Sequence, residues 1–373
     1  MYLIERLLGV ALYLIVLLGT TYYIYHTKKL GKTLEIYAVI LGVMAFFYEP
    51  AETADLYRIY EAMEYFTNMS WKKFCNEIVS TPTPAYLIYI RIIGKIGIKE
   101  LLPAITAYIY YSNIFCVIKK CAFKYKVSNR SVSLVVLLLM SFGQFVQVIS
   151  GIRSMLAFSI VVRCMYEEIL ENKRIIFNLW KYAIAFWLHP VGVAACGIRI
   201  FYEIFCYKSK NFLQLLAKGA GVLMTGILGL RFALPYIVSM LDKAEKYISG
   251  DIYGYIWEYI MAIVYLALIF YSLHKYKHYF EKNREIQSLV KLLKIMSFGV
   301  CIMILEYSIF QRFTVFISML FLPIYIYILS KVEHAARKNE QYINIMIYCP
   351  IMILVLACVR GNLSGYKFFV LDM

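Results

Sequence analysis

The sequence has no CxxC pair, no HExxH run or comparable histidine cluster, and no internal repeat. Each absence removes a class of function. Without paired cysteines or clustered histidines there is no ligand set for a metal, and no cofactor is expected. The nine cysteines mostly stand in apolar runs, as Cys164, Cys196 and Cys301 do, and read as packing residues. The missing repeat weighs against an inverted-repeat transporter. A cleavage site is also missing after the first apolar run. Residues 7–25 are too long for a signal-peptide core and lead into His26-Thr-Lys-Lys29, so they are expected to remain as the first membrane span. A soluble domain of ordinary size has no room between the later runs.

What fills the chain is apolar. Of 373 residues, 62% are hydrophobic, and the mean hydropathy is +0.67. Soluble domains hold roughly 45–50% apolar residues, so the expectation is an all-α integral membrane protein with one polytopic domain, residues 1–373. A net charge of +16 would suggest nucleic acid in a soluble protein. Here the Lys and Arg cluster in short loops, which is the positive-inside pattern of a plasma-membrane protein in contact with a lipid bilayer. Nucleic acid is not an expected partner.

Six basic loops set the orientation: residues 26–32, 119–130, 171–174, 208–210, 274–294 and 331–338. Placed together in the cytoplasm, they put the N-terminus outside. Residues 7–25 then run inward and 34–48 outward, into a polar outer loop over 49–84. That loop carries six acids (Glu49, Glu52, Asp55, Glu61, Glu64, Glu77) against three bases (Arg58, Lys72, Lys73). Within it, residues 54–66 space Leu56, Ile59, Tyr60 and Met63 as one helical stripe, which predicts an amphipathic surface helix. The paired prolines of Thr81-Pro-Thr-Pro84 end it.

Residues 85–98 are apolar but carry Arg91 and Lys95, and a crossing there would put loop 119–130 outside. They are read as a re-entrant or interfacial helix. The remaining spans are 101–118, 132–149, 155–170, 175–188, 191–207, 212–240 (tilted or kinked near Pro235), 257–273, 295–310, 313–330 and 343–359. A second outer loop over 241–255 carries Asp242, Glu245 and Asp251. At roughly 20 residues per span the total is about twelve crossings.

This parity places four polar groups at outer positions. Arg153 lies in a polar break, Ile149-Ser-Gly-Ile-Arg-Ser154, between two apolar runs. A guanidinium at a helix mouth is costly unless an anion or water meets it. His189 lies in Phe186-Trp-Leu-His-Pro190, Gln311-Arg312 at a later turn, and Asp55 in the first outer loop. Two planar guanidiniums suit bidentate binding of phosphate or diphosphate, and Arg153 opens a helix whose dipole favours the same anion. His189 has an ordinary pKa near 6.5, suited to proton transfer near neutral pH. Asp55 is a base, an acceptor for sugar hydroxyls or a partner for an arginine. The chemistry suggested is group transfer from a lipid-anchored phosphate.

Each group also has an ordinary reading. Arg153 snorkels to lipid phosphates; His189 caps a helix; Arg312 pairs with Glu306; Asp55 is one solvated acid among six. Arg163, Arg199, Arg231 and Glu258 read as snorkelling or paired charges. Most of the 35 tyrosines suit interfacial belts, with Tyr57 and Tyr60 as candidates to stack on sugars.

Asp55-Leu-Tyr-Arg-Ile-Tyr60, Gly151-Ile-Arg-Ser-Met-Leu-Ala157, Leu188-His-Pro190 and Gln311-Arg312, in that order, resemble the EpsG family. These are Wzy-like bacterial exopolysaccharide and capsule polymerases. The pattern departs at Pro84, where an acidic residue is expected ahead of Tyr86. The resemblance implies a GT-C-like or Wzy-like architecture and a glycosyltransferase. It would move a growing glycan from undecaprenyl pyrophosphate to a lipid-linked acceptor repeat unit, alongside other polysaccharide-assembly proteins. By position, Arg153 and Arg312, with Gln311, would hold pyrophosphate; His189 would assist proton removal; Asp55 would orient a substrate. No metal is implied. The rival reading is a flippase for the same lipid-linked oligosaccharide, which would need polar groups at mid-membrane. A membrane acyltransferase would suit a buried mid-helix histidine better than His189.

Overall fold

Long apolar runs with few charges fold as helices, because a backbone in hydrocarbon must satisfy its own hydrogen bonds. In the computed structural model of the chain the described residues are mostly helical, with no strand among them. Those are residues 2–50, 54–142, 145–189, 256–302 and 307–332, together with 52, 192, 196–199, 202, 211–214, 216, 219, 220 and 304.

The helices are α1 (Tyr2–His26), α2 (Leu30–Phe46), α3 (Asp55–Asn68), α4 (Trp71–Ser80), α5 (Pro84–Ile96), α6 (Leu101–Tyr125) and α7 (Asn129–Phe142). They continue as α8 (Phe145–Ser150), α9 (Ile152–Ile169), α10 (Leu179–Leu188), α11 (Ile256–Lys275), α12 (Lys277–Phe280), α13 (Arg284–Ile302) and α14 (Tyr307–Val332). Among the described residues, three stretches are long and apolar enough to cross a membrane: Leu8–His26, Leu101–Tyr125 and Phe310–Val332. The chain is thus an all-α protein with helices of membrane-spanning length.

The last of these stretches is buried within the protein along most of its length, and α14 packs on α6, α7, α9, α11 and α13. A helix apolar on every side suits that central place. Tyr37 stacks on Phe115 where α2 lies along α6, and Phe158 of α9 stacks on Phe316 of α14.

Three expected spans are redrawn. The run 132–149 is divided, because α7 stops at Phe142 and α8 starts at Phe145. The run 175–188 opens as a 3-10 turn (Ile175–Asn178) before α10. Together these reach about 23 Å, short of a hydrocarbon core of roughly 30 Å. The turn expected at Gln311-Arg312 is not there, since both residues lie inside α14. Glu306, the alternative partner for Arg312, lies outside the described residues. So do Pro190, Arg231, the Glu258 side chain, the outer loop 241–255, the span 343–359, and most of 191–207 and 212–240.

The polar segment between α2 and α5 holds two helices. In α3 the buried residues are Leu56, Ile59, Tyr60 and Met63, the stripe that the spacing gives. Ser70 precedes α4, which the sequence reading missed; its one buried residue is Phe74. Proline at the first position of α5 suits a helix start, where no N–H is needed. At 13 residues α5 is about 20 Å long, too short to span, and it packs against α3, α4, α6 and α10.

Both ends of this assembly are tied. At one end Lys119 meets Glu35 at 3.2 Å, Lys120 meets Glu171 at 2.9 Å, and Lys124 reaches Glu285. Asn129 donates to the Thr27 carbonyl and Asn172 to Glu285. Four of the basic loops therefore share one end, and the N-terminus of α9, with Arg153, lies at the other. Three buried charges are paired with opposite charges: Arg199 with Glu168 at 3.0 Å, and Glu167 with Lys181 at 3.1 Å and Arg163 at 3.4 Å.

Candidate functional site

Asp55 is the first residue of α3, and its carboxylate is more than half exposed. It stands 3.8 Å from Arg58, one turn along, and 4.0 Å from Arg312 in α14. An exposed pair of this kind contributes about 0–1 kcal/mol to stability, so holding the fold together does not explain it.

Arg153 is the second residue of α9, after Gly151, which offers no side-chain cap. The N-terminal amides of that helix are thereby left to face an anion. The Arg153 side chain is exposed, and its guanidinium carbon sits 4.8 Å over the Tyr86 ring of α5. This cation–π contact aims the fork without neutralising it. The sequence reading looked for an acid beside Tyr86. The ring itself is the partner, and a lone tyrosine gives no signal of that.

His189 closes α10 in extended backbone and is only 9% exposed. Burial, then Arg153, then Arg312, hold its pKa well below the ordinary imidazole range. The expectation of an unperturbed histidine is thereby corrected: the ring is neutral at physiological pH. Arg153 of α9 and Arg312 of α14 thus both act electrostatically on His189 of α10, while Arg312 also lies 4.0 Å from Asp55 of α3 and Arg153 sits over Tyr86 of α5. Gln311 is half-buried beside Arg312 in sequence.

Tyr57 and Tyr60 belong elsewhere. They line a neighbouring cleft of about 430 Å³ to which Asp55, Arg153, His189 and Arg312 contribute nothing. Burial, reinforced by Glu100 and Tyr48, raises the pKa of the Tyr60 hydroxyl, which keeps its proton. Behind the cleft, Arg91 of α5 lies 4.0 Å over Phe74 and donates to the Met69 carbonyl at 2.9 Å. It pins α5 to α4. The structure gives this charge a partner where the sequence had only an awkward cation in an apolar helix.

No group of three or more His, Cys, Asp or Glu among the described residues is placed to hold a metal ion. Chemically, the gathered set offers two guanidiniums, helix amides, a neutral imidazole and one carboxylate. Such a set binds a multiply charged oxyanion and accepts a proton next to it. Compared with known proteins, the chain matches no family model, no curated protein and no solved structure.

Proposed function

We propose that the protein is a glycan polymerase of the bacterial plasma membrane, a glycosyltransferase acting on lipid-diphosphate-linked repeat units at the outer face. The observation that carries this is the meeting of Asp55 with Arg312 at 4.0 Å, while Arg312 and Arg153 both act on His189. In this reading the chain crosses the membrane about twelve times. The basic loops lie in the cytoplasm and the architecture is GT-C-like or Wzy-like. The gathering of four basic loops at the end opposite Arg153 supports that orientation.

Arg153, Arg312 and the first amides of α9 grip the diphosphate of the donor. The bond between the donor's anomeric carbon and a diphosphate oxygen breaks. A hydroxyl oxygen of the acceptor sugar forms the new glycosidic bond and loses its proton to His189. The lipid diphosphate leaves, its charge matched by the two arginines, as developing charge is met in other preorganised sites. The pKa shift of His189 fits this order of events. Buried, and beside two guanidiniums, His189 is neutral but a poor base. A bound diphosphate offsets the charge of the arginines and returns the part of the basicity that they suppress, when the acceptor is in place. Asp55 keeps Arg312 oriented between turnovers.

The flippase alternative has less support, because the buried Glu167, Glu168 and Arg199 and the partly exposed Arg163 and Lys181 satisfy one another. A strain lacking the gene, complemented with Arg153→Ala or His189→Ala, tests the reading. Both variants should reach the membrane and leave single repeat units in place of polymer. Normal chain lengths from both would contradict it.

A further inference from the structure

The cleft beside the arginines is walled by one face of α3. Tyr57, Tyr60, Glu61, Glu64, Thr67 and Asn68 recur at three- and four-residue steps, and across from them stand Lys99 and Glu100 in the turn between α5 and α6. Two glycines shape the opposite wall. A Cβ at Gly94 would run into the Thr67 hydroxyl and the Met63 side chain, so only glycine lets α5 approach this closely. Gly97 ends α5 at a φ of +84°, which turns the chain toward Lys99.

The lining has a definite chemistry. Three carboxylates face one ammonium, and that ammonium lies 5.3 Å over the Tyr60 ring. The carboxylates form none of the clusters that hold a metal. Two wall hydroxyls, those of Tyr60 and Thr67, have no hydrogen-bond partner among the described residues, and Tyr60 is only 8% exposed. Tyr57 presents a partly exposed ring at the mouth. Carboxylates, an amide and a partly exposed aromatic face, with two unpaired hydroxyls buried just behind them, match a ligand that is all hydroxyls on its edges and C–H on its faces. About 430 Å³ lies in the usual range of about 300–1,000 Å³ for small-ligand sites, with room for a short oligosaccharide.

We propose that this cleft is a saccharide subsite that takes neutral or amino-bearing sugar units and rejects uronates. It rests on the polymerase reading for the identity of the glycan. Its acidic lining narrows the substrate to repeat units without carboxylates at this position, since like charges in a partly desolvated cleft repel. The α3 stripe starts two residues from Asp55, so the glycan would run along α3 from the diphosphate site toward Asn68.

The test is direct binding to the purified full-length protein in nanodiscs, followed by saturation-transfer NMR. The probes are chitotriose, its de-N-acetylated counterpart and tri-galacturonate. The first two should bind, and tri-galacturonate at least tenfold more weakly. Tyr57→Ala and the Glu61→Gln/Glu64→Gln pair should each weaken chitotriose at least fivefold, and Tyr57→Phe should not. The Gln pair should also narrow the gap to tri-galacturonate. Inorganic pyrophosphate, which occupies the arginines, should leave chitotriose affinity within twofold. Unchanged melting temperatures show that the variants are folded. Failure of every trimer to bind at millimolar concentration, tighter binding of tri-galacturonate, or indifference to the cleft variants would overturn the proposal. Trimer binding as described without polymer from lipid-linked units would sink the enzyme reading and leave the subsite standing. Polymer formation without cleft-dependent binding would do the reverse.

Discussion

Asp55 and Arg312 stand 4.0 Å apart although one opens an outer helix and the other lies within the buried central helix. The carboxylate is more than half exposed and the guanidinium about a third. Their pairing holds an arginine in position at the surface of the assembly, where the stability gained is small.

Removing that carboxylate should therefore separate folding from activity. Asp55→Ala is expected to shift the melting temperature by no more than about 3 °C, the effect of about 1 kcal/mol or less. Polymer synthesis should fall on the order of tenfold or more through misplacement of Arg312. Thermal unfolding in detergent, beside gel analysis of polymer, measures both.

His189 makes stability depend on pH in a stated direction. Its folded-state pKa is depressed, by burial first and then by Arg153 and Arg312, whereas an unfolded chain titrates near the ordinary value of about 6.5. The unfolded state binds the extra proton, so its stabilising share is whole above about pH 6.5 and is lost as the pH falls below it. His189→Gln should flatten that part of the melting profile between pH 7 and pH 5. A wild-type profile unchanged by the substitution would count against the environment described.

The arginines should be measurable as an anion site without any glycan. Inorganic pyrophosphate is expected to raise the melting temperature of the wild-type protein. Arg153→Ala should weaken its binding by about tenfold or more, as expected for losing hydrogen bonds to a charged group worth about 1.5–3 kcal/mol. Titration calorimetry at fixed ionic strength gives the ratio.

The Arg199–Glu168 pair is almost fully buried, with Asn178 and Tyr182 also bonded to Glu168. Arg199→Met leaves an uncompensated carboxylate and should cost about 3–5 kcal/mol. Adding Glu168→Gln should restore most of it. Thermal unfolding of the single and double variants forms the cycle.

The legible parts of this molecule were the local ones. Leu56, Ile59, Tyr60 and Met63 declared the buried face of α3 by spacing alone, and the prolines after Ser80 marked the end of the polar segment, where α5 begins. Hydropathy misplaced the start of α14, because a charged Arg312 inside an apolar run looks like the end of a span. In the structure that charge is met by Asp55, a partner remote in sequence. His189 was visible as a titratable group at a bend. Its altered basicity was not, since it depends on burial and on two guanidiniums brought by other helices. Tyr86 beneath Arg153 belongs to the same class: ring-over-cation geometry leaves no periodic trace.

The most direct measurement is reconstitution of the purified protein with a lipid-diphosphate-linked repeat unit, with products resolved by size. The account predicts a ladder of lipid-linked glycans, with one lipid diphosphate freed at each transfer, absent with Arg153→Ala and with His189→Ala. A ladder of the same length and yield from both variants, or none from the wild-type protein, would contradict it.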